Sequence, residues 1–178
     1  SKADAISGFL KTAKEELHDG KGVFVSADVF GIIIESKVDG EAIGQDFERV
    51  GTEIDYICPM IYPSHYANSS NGIMGNGHGQ SINGVLFTKP DLQPYEVVYN
   101  TLKKSKDRIQ GMEGYYANVR PYLQDFTATY LDSGYYQEYG AEQVRQQINA
   151  VYDAGYEEWI LWSGRNNYST DAFEEAVQ

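Results

Sequence analysis

The chain has 178 residues, 42% of them hydrophobic, with 14 Lys and Arg against 26 Asp and Glu and a net charge of −12. Such a length predicts a single domain, residues 1–178, with enough apolar content for a sizeable core. The acidic balance argues against nucleic acid or an anionic membrane as partner, because both reward basic patches.

No apolar run approaches the ~18 residues a membrane helix needs, and no signal peptide opens the sequence. Its first residues already read as an amphipathic helix, so a targeting segment is expected to have been removed or never to have belonged to it. Ile6, Phe9, Leu10, Ala13 and Leu17 fall at helical spacing, and His18-Asp19-Gly20 supplies a stop. A strand is predicted over 22–28. Phe24, Ser26 and Asp28 share one of its faces, Val23, Val25 and Ala27 the other, and Asp28 closes it. The apolar stretch 29–34 fits no single state, and a short helix is expected over 45–52. The second strand, 54–62, puts Tyr56, Cys58, Met60 and Tyr62 on one face and Asp55, Ile57, Pro59 and Ile61 on the other. Pro59 lacks a ladder donor, which points to an edge strand or an irregularity.

Residues 63–90 are rich in Gly, Asn and Ser, and a loop of that length at a strand end reads as a substrate-shaping lid. Its stretch 75–81 lacks the Lys-Ser/Thr of a P-loop and sits mid-loop, which excludes a phosphate cradle. A helix follows over 94–108, with Pro94 in its first turn and Val97, Val98, Leu102 and Ile109 inward. The third strand, 119–125, ends in Gln124-Asp125-Phe126, and a Tyr/Gly-rich loop occupies 130–140. Helix 141–154 carries the stripe Val144, Ile148 and Val151, with Gly155 as its stop. The last strand is 159–162. Thr170-Asp171 opens a terminal helix in which Glu174 completes a capping box.

Alternating strands and helices imply parallel strands with their chemistry at the C-terminal ends. Asp28, Tyr62, His65, Gln124, Asp125 and Trp162 are therefore expected to converge on one mouth. Arg120 shares a face with Tyr122 and Gln124, and an inward guanidinium needs an acidic partner, for which Asp28 is the candidate. Fifteen Tyr and two Trp exceed what a core requires. An acidic, aromatic mouth suits a sugar, whose C–H faces stack on rings while its hydroxyls bond to Asp, Gln and Arg. Cys58, the single cysteine, reads as a buried structural thiol and permits no intrachain disulfide. No cluster has metal-ligand spacing, no Gly-x-Ser-x-Gly elbow is present, and no cofactor is expected. Four strand–helix units are half of a (β/α)8 barrel, which typically takes ~250 residues. The fold class is thus α/β with parallel units, either an open four-stranded domain or the second half of a barrel.

Ile43-Gly-Gln-Asp46, Tyr56-Ile-Cys-Pro-Met-Ile-Tyr-Pro-Ser-His-Tyr66, Pro94-Tyr95, Arg120-Pro-Tyr-Leu-Gln-Asp-Phe126 and Trp159-Ile-Leu-Trp162 resemble a bacterial family of glycoside-hydrolase-like (β/α)8 barrels. That family is distantly related to the α-amylase-like enzymes, and the resemblance runs from about Gly20 to Tyr168. It implies that the four strands are the fifth to eighth of a TIM barrel and that Asp28 is one of two catalytic carboxylates, acting as acid/base. It also implies that the nucleophile stands on a fourth strand preceding this chain. Two departures bear on sugar contact: the family usually has Trp at Tyr122 and Asn at Ser163.

The expectation is a glycoside hydrolase domain acting on O-glycosidic bonds of a poly- or oligosaccharide by paired-carboxylate acid/base catalysis. Asp28 would be catalytic, and Tyr62, His65, Arg120, Gln124, Asp125 and Trp162 would bind substrate. The alternatives are a noncatalytic carbohydrate-binding relative, or a metal-dependent sugar deacetylase using Asp28, His65 and Asp125 as ligands. The missing N-terminal half-barrel or a homodimer mate is the expected partner, in a secreted or cell-envelope setting.

Overall fold

The computed structural model describes residues 1–66 and 78–173. In chain order the elements are α1 (Lys2–Lys14), β1 (Ser26–Phe30), α2 (Ile32–Glu35), α3 (Lys37–Ile43), α4 (Phe47–Glu53) and β2 (Tyr56–Ile61). They continue with β3 (Gln80–Ile82), β4 (Val85–Phe87), α5 (Pro94–Ile109), β5 (Asn118–Val119), β6 (Tyr122–Gln124), α6 (Ala141–Asp153) and β7 (Ile160–Trp162). The fold is mixed α/β. Its main sheet runs β1-β2-β6-β7, every pairing parallel, with β5 as a short prelude to β6 beside β2.

The first strand lies later than its hydrophobic pattern suggested. Gly22 adopts φ +69°, and the ladder begins only where Ser26 meets Tyr56. The Asp55 carboxylate explains the delay, since it accepts from the Val25 N–H at 2.8 Å and from His18 at 2.9 Å, tying the entering chain before it pairs. Val29 and Phe30, left unassigned by sequence, complete the strand, so Asp28 sits in its middle and does not close it. Gly31 then lets the backbone turn against β2. A Cβ there would come within 2.6 Å of the Met60 carbonyl.

Pro59 turns out to be central rather than peripheral. β2 is flanked on both sides, and the register Ile57↔Val119 and Met60↔Tyr122 sets Pro59 opposite Pro121. Two prolines facing each other supply no N–H to the ladder, which is why β5 and β6 are separate pieces of one strand path.

The long loop contains the 3₁₀ turn Pro63–Tyr66 and the antiparallel hairpin β3–β4. Asn83-Gly84 forms its turn with φ of 51° and 79°, the left-handed pair a tight hairpin requires. Residues 75–77 of the 75–81 stretch lie outside the described residues. Helices α5 and α6 fall where the apolar stripes placed them. Of the expected terminal helix the described residues hold one 3₁₀ turn, Thr170–Ala172, and Glu174 lies outside them.

Helices cover one side of the sheet. Val25, Val29, Ile57, Ile61, Val119 and Leu123 pack there against Ile34, Phe47, Val97, Leu102, Val144 and Val151. Arg108 locks α2 to this layer by donating to the Ile33 and Ile34 carbonyls at 2.7 Å while pairing with Glu48. The opposite side carries Ser26, Asp28, Phe30, Tyr56, Met60, Tyr122 and Trp162, and the chain covers it only in part.

Candidate functional site

The ladder registers order the uncovered side chains into rows. Asp28 stands opposite Cys58, and the continuous offset of β5 and β6 on β2 sets Arg120 on the other side of Cys58. Extending the β6–β7 register sets Glu158 next to Arg120. One row therefore reads Asp28, Cys58, Arg120, Glu158. Phe30, Met60, Tyr122 and Ile160 form the next row toward the C-terminal ends, and Tyr62, Gln124 and Trp162 the one beyond. The sequence grouped Asp28 with Tyr62, Gln124 and Trp162 in a single mouth, but two pleats separate them.

Asp28 is exposed, and Tyr122 reaches it from the neighbouring row. Burial raises the Tyr122 phenol above its ordinary range, and the negative charge of Asp28, with a hydrogen bond to that carboxylate, adds to the rise. Tyr62 is pushed up further, by burial first and then by Tyr122 and Asp28. Arg120 lays its guanidinium over the Tyr56 ring at 4.2 Å, and its buried Nε has no hydrogen-bond partner. The expected Arg120–Asp28 ion pair does not form, and Arg120 pairs with no carboxylate among the described residues. Its counterpart is Cys58, 1% exposed, whose thiol is raised by burial and eased down by Arg120. Cys58 is thus a buried thiol, as its apolar strand indicated.

The other sequence candidates divide between surface and interior. Trp162 ends β7 with its indole 49% exposed. His65 reaches solvent beside the Tyr62 ring, whose centroid lies 4.9 Å away, and lost solvation lowers its pKa. Tyr62 itself is buried between His65 and Phe126.

Gln124 is fully buried and does not face a ligand. Its Oε1 accepts from the Ser64 N–H at 3.0 Å, and its Nε2 donates to Asp91 and to the Phe126 carbonyl, both at 3.0 Å. Gln147 of α6 completes this hub, bonding the Gln124 N–H at 2.9 Å and its carbonyl at 2.8 Å. Asp125 is also buried, and both its oxygens are taken at 2.8 Å by the Ser169 N–H and hydroxyl. Among the described residues no three of His, Cys, Asp and Glu gather into a metal-binding group, so Asp28, His65 and Asp125 do not come together as ligands.

An exposed carboxylate beside a phenol can exchange a proton with a ligand lying on the sheet. Glycoside hydrolysis needs two such carboxyl groups, about 5–5.5 Å apart for retention or ~6.5–9.5 Å for inversion. Glu158 shares the row of Asp28 but stands three strand spacings away, roughly 14 Å across the sheet. It does not complete the pair.

Residues 1–168 match the model of the family described as "Putative glycosyl hydrolase domain". The chain belongs to that family. No curated protein matches it. Among solved structures it is similar to the glycoside hydrolase domain of PgaB (BpsB) from Bordetella bronchiseptica, at 12% identity and a TM-score of 0.56. That likeness covers 91% of this chain and 37% of the Bordetella chain, so this sequence spans well under half the length of its neighbour, and the likeness is one of fold.

Proposed function

We propose that the chain is one side of a glycoside hydrolase cleft, acting on O-glycosidic bonds of a poly- or oligosaccharide with Asp28 as the acid/base. In this reading residues 1–178 form one domain equivalent to strands five to eight of a (β/α)8 barrel. The second carboxylate arrives on the strands that close the barrel, whether from the same polypeptide or from a second copy. The observation that carries the reading is the uncovered side of the parallel sheet, where an exposed carboxylate has Cys58 opposite it and Met60 and Tyr122 in the next row instead of helices. Phe30 and Trp162, each 49% exposed, and Phe24 at 69% supply the aromatic surface on which sugar rings stack. The free edges of β1 and β7 are where further strands would pair. Closing the barrel would enclose Asp28 and bring the second carboxylate across the bound glycan from it.

The test is reducing-end release from a panel of polysaccharides by the protein carrying both halves of the barrel. Asp28→Asn keeps shape and hydrogen bonding and removes the titratable proton, so turnover should fall by about 10²–10⁴-fold while binding holds. Undiminished turnover removes Asp28 from the mechanism. Binding without turnover in the unmodified protein leaves the noncatalytic carbohydrate-binding reading.

A further inference from the structure

Beyond the ends of β6 and β7 lies a cavity of about 540 Å³, within the range of small-molecule sites. Its walls come from three loops. Asp125–Thr127, Thr129 and Tyr130 follow β6, Glu138 and Tyr139 precede α6, and Trp162–Arg165, Asn167 and Ser169 follow β7. Backbone and side-chain bonds fasten these loops together before any ligand arrives. Ser169 holds Asp125, the Asp125 N–H donates to the Trp162 carbonyl at 2.9 Å, and the Tyr139 N–H donates to Thr127 Oγ1 at 3.0 Å. Tyr139 is anchored again from below, its hydroxyl donating to the Asp91 carbonyl at 3.0 Å.

Other lining groups remain free. Glu138, Arg165 and Asn167 make no side-chain hydrogen bond or ion pair among the described residues, although all three are exposed on the wall. The Trp162 indole and the Tyr130 ring, 49% and 51% exposed, offer flat apolar faces beside them. The wall carries Asp125 and Glu138 against Arg165; with Asp125 already bonded by Ser169, the free groups are one acid and one base, and the cavity asks for no anion. Flat aromatic faces ringed by hydroxyl, amide, carboxylate and guanidinium groups match an uncharged pyranose ring.

The place of this cavity in the sheet carries the inference. Trp162 stands on β7, three strand spacings from β1 (roughly 14 Å across), and two pleats above the row of Asp28 (roughly 13 Å along the strands). One sugar ring cannot touch both. We propose that the cavity is a distal sugar subsite that sets a minimum chain length, several residues, for the glycan this protein engages. The assignment rests on the hydrolase reading only for what happens at Asp28; the cavity binds sugar whether or not hydrolysis follows.

The test is calorimetric binding of cello-, malto-, chito- and β-1,3-gluco-oligosaccharides from one to six units to the full chain. For the series that binds, affinity should rise by about tenfold or more from the disaccharide to the pentasaccharide, since each tenfold reflects a modest added contact. Trp162→Ala and Arg165→Ala should remove that rise, and Asp28→Asn should leave it intact. All three side chains are exposed, and an unchanged near-ultraviolet circular dichroism spectrum confirms folding of each variant. Length-independent affinity, a rise that survives Trp162→Ala, or no binding in any series overturns the proposal. A Trp162-dependent rise without hydrolysis by the closed barrel upholds the subsite and defeats the hydrolase reading.

Discussion

The two sides of this one sheet are built on opposite terms. Every strand alternates, but the side turned to the helices is closed by residues the chain itself supplies. Ile34, Ile54, Ile57, Ile61, Leu102 and Leu123 are fully buried there. On the other side Ser26, Asp28 and Phe30 of β1 are all exposed, and Met60 and Tyr122 are half-buried. The difference teaches where stability and chemistry reside. The covered side holds the fold together, and the uncovered side keeps its aromatic, acidic and basic residues open to solvent. Phe24, 69% exposed, packs only its edges on His18 and Tyr56 and leaves most of its ring in water.

The sharpest way to break that comparison is to remove side chains from each side and measure urea midpoints. Leu102→Ala opens a cavity in the closed layer and should cost about 2–5 kcal/mol. Phe24→Ser removes an exposed ring and should change stability by less than about 0.5 kcal/mol. Similar losses for both would mean that the uncovered side is also core.

A smaller effect is expected at the hub beneath the strand ends. Gln124→Ala takes a partner from the Ser64 N–H, from Asp91 and from the Phe126 carbonyl, while the main-chain bonds to Gln147 stay, and a loss of about 1–3 kcal/mol is expected. Burial raises the Asp91 carboxyl above its ordinary value, and the bonds from Gln124, Gln137 and Tyr139 partly restrain it. Because the folded state then holds this proton more tightly than the unfolded one, the contribution of Asp91 is largest below the unfolded carboxylate value. It declines as pH rises through the folded one. Removing Gln124 takes away a restraint, so Asp91 should titrate at still higher pH, visible by carbon-detected NMR of its carboxyl. An Asp91 titration that stays in place would show that the hub does not hold this carboxylate.

Much of this was legible from the residues. Parallel order, the two long helices and the two-face division of β2 follow from spacing alone, because periods of two and 3.6 survive in any context. The start of β1 was not legible, since Val23 and Phe24 look as strand-like as Val29 and Phe30. Only the long-range tie from Asp55 to the Val25 N–H decides between them. The facing prolines were each visible, but their opposition is a matter of register, which one strand read alone does not contain. Gln147 carried a faint signal, because it falls on the stripe of Val144, Ile148 and Val151, where a polar residue must find buried partners. Asp91 carried none. The site divided along the same line: exposed Asp28 and Trp162 follow from strand alternation, whereas the burial of Gln124 and Asp125 depends on loops that arrive from far along the chain.

The smallest predicted effect tests the uncovered side at its centre, without any substrate. Tyr122 is displaced upward first by burial and then by the charge and hydrogen bond of Asp28. Asp28→Asn removes the charge and leaves the burial, so the Tyr122 phenol should titrate at lower pH in the variant, while staying above an ordinary tyrosine. NMR of ring-labelled tyrosine resolves this one ring from the fifteen. The direction follows from electrostatics alone, because a phenolate forming next to a carboxylate is opposed by like charge and an amide does not oppose it. A Tyr122 titration indifferent to Asp28→Asn would separate the two side chains, and the acid at the centre of the row would then stand without its phenol.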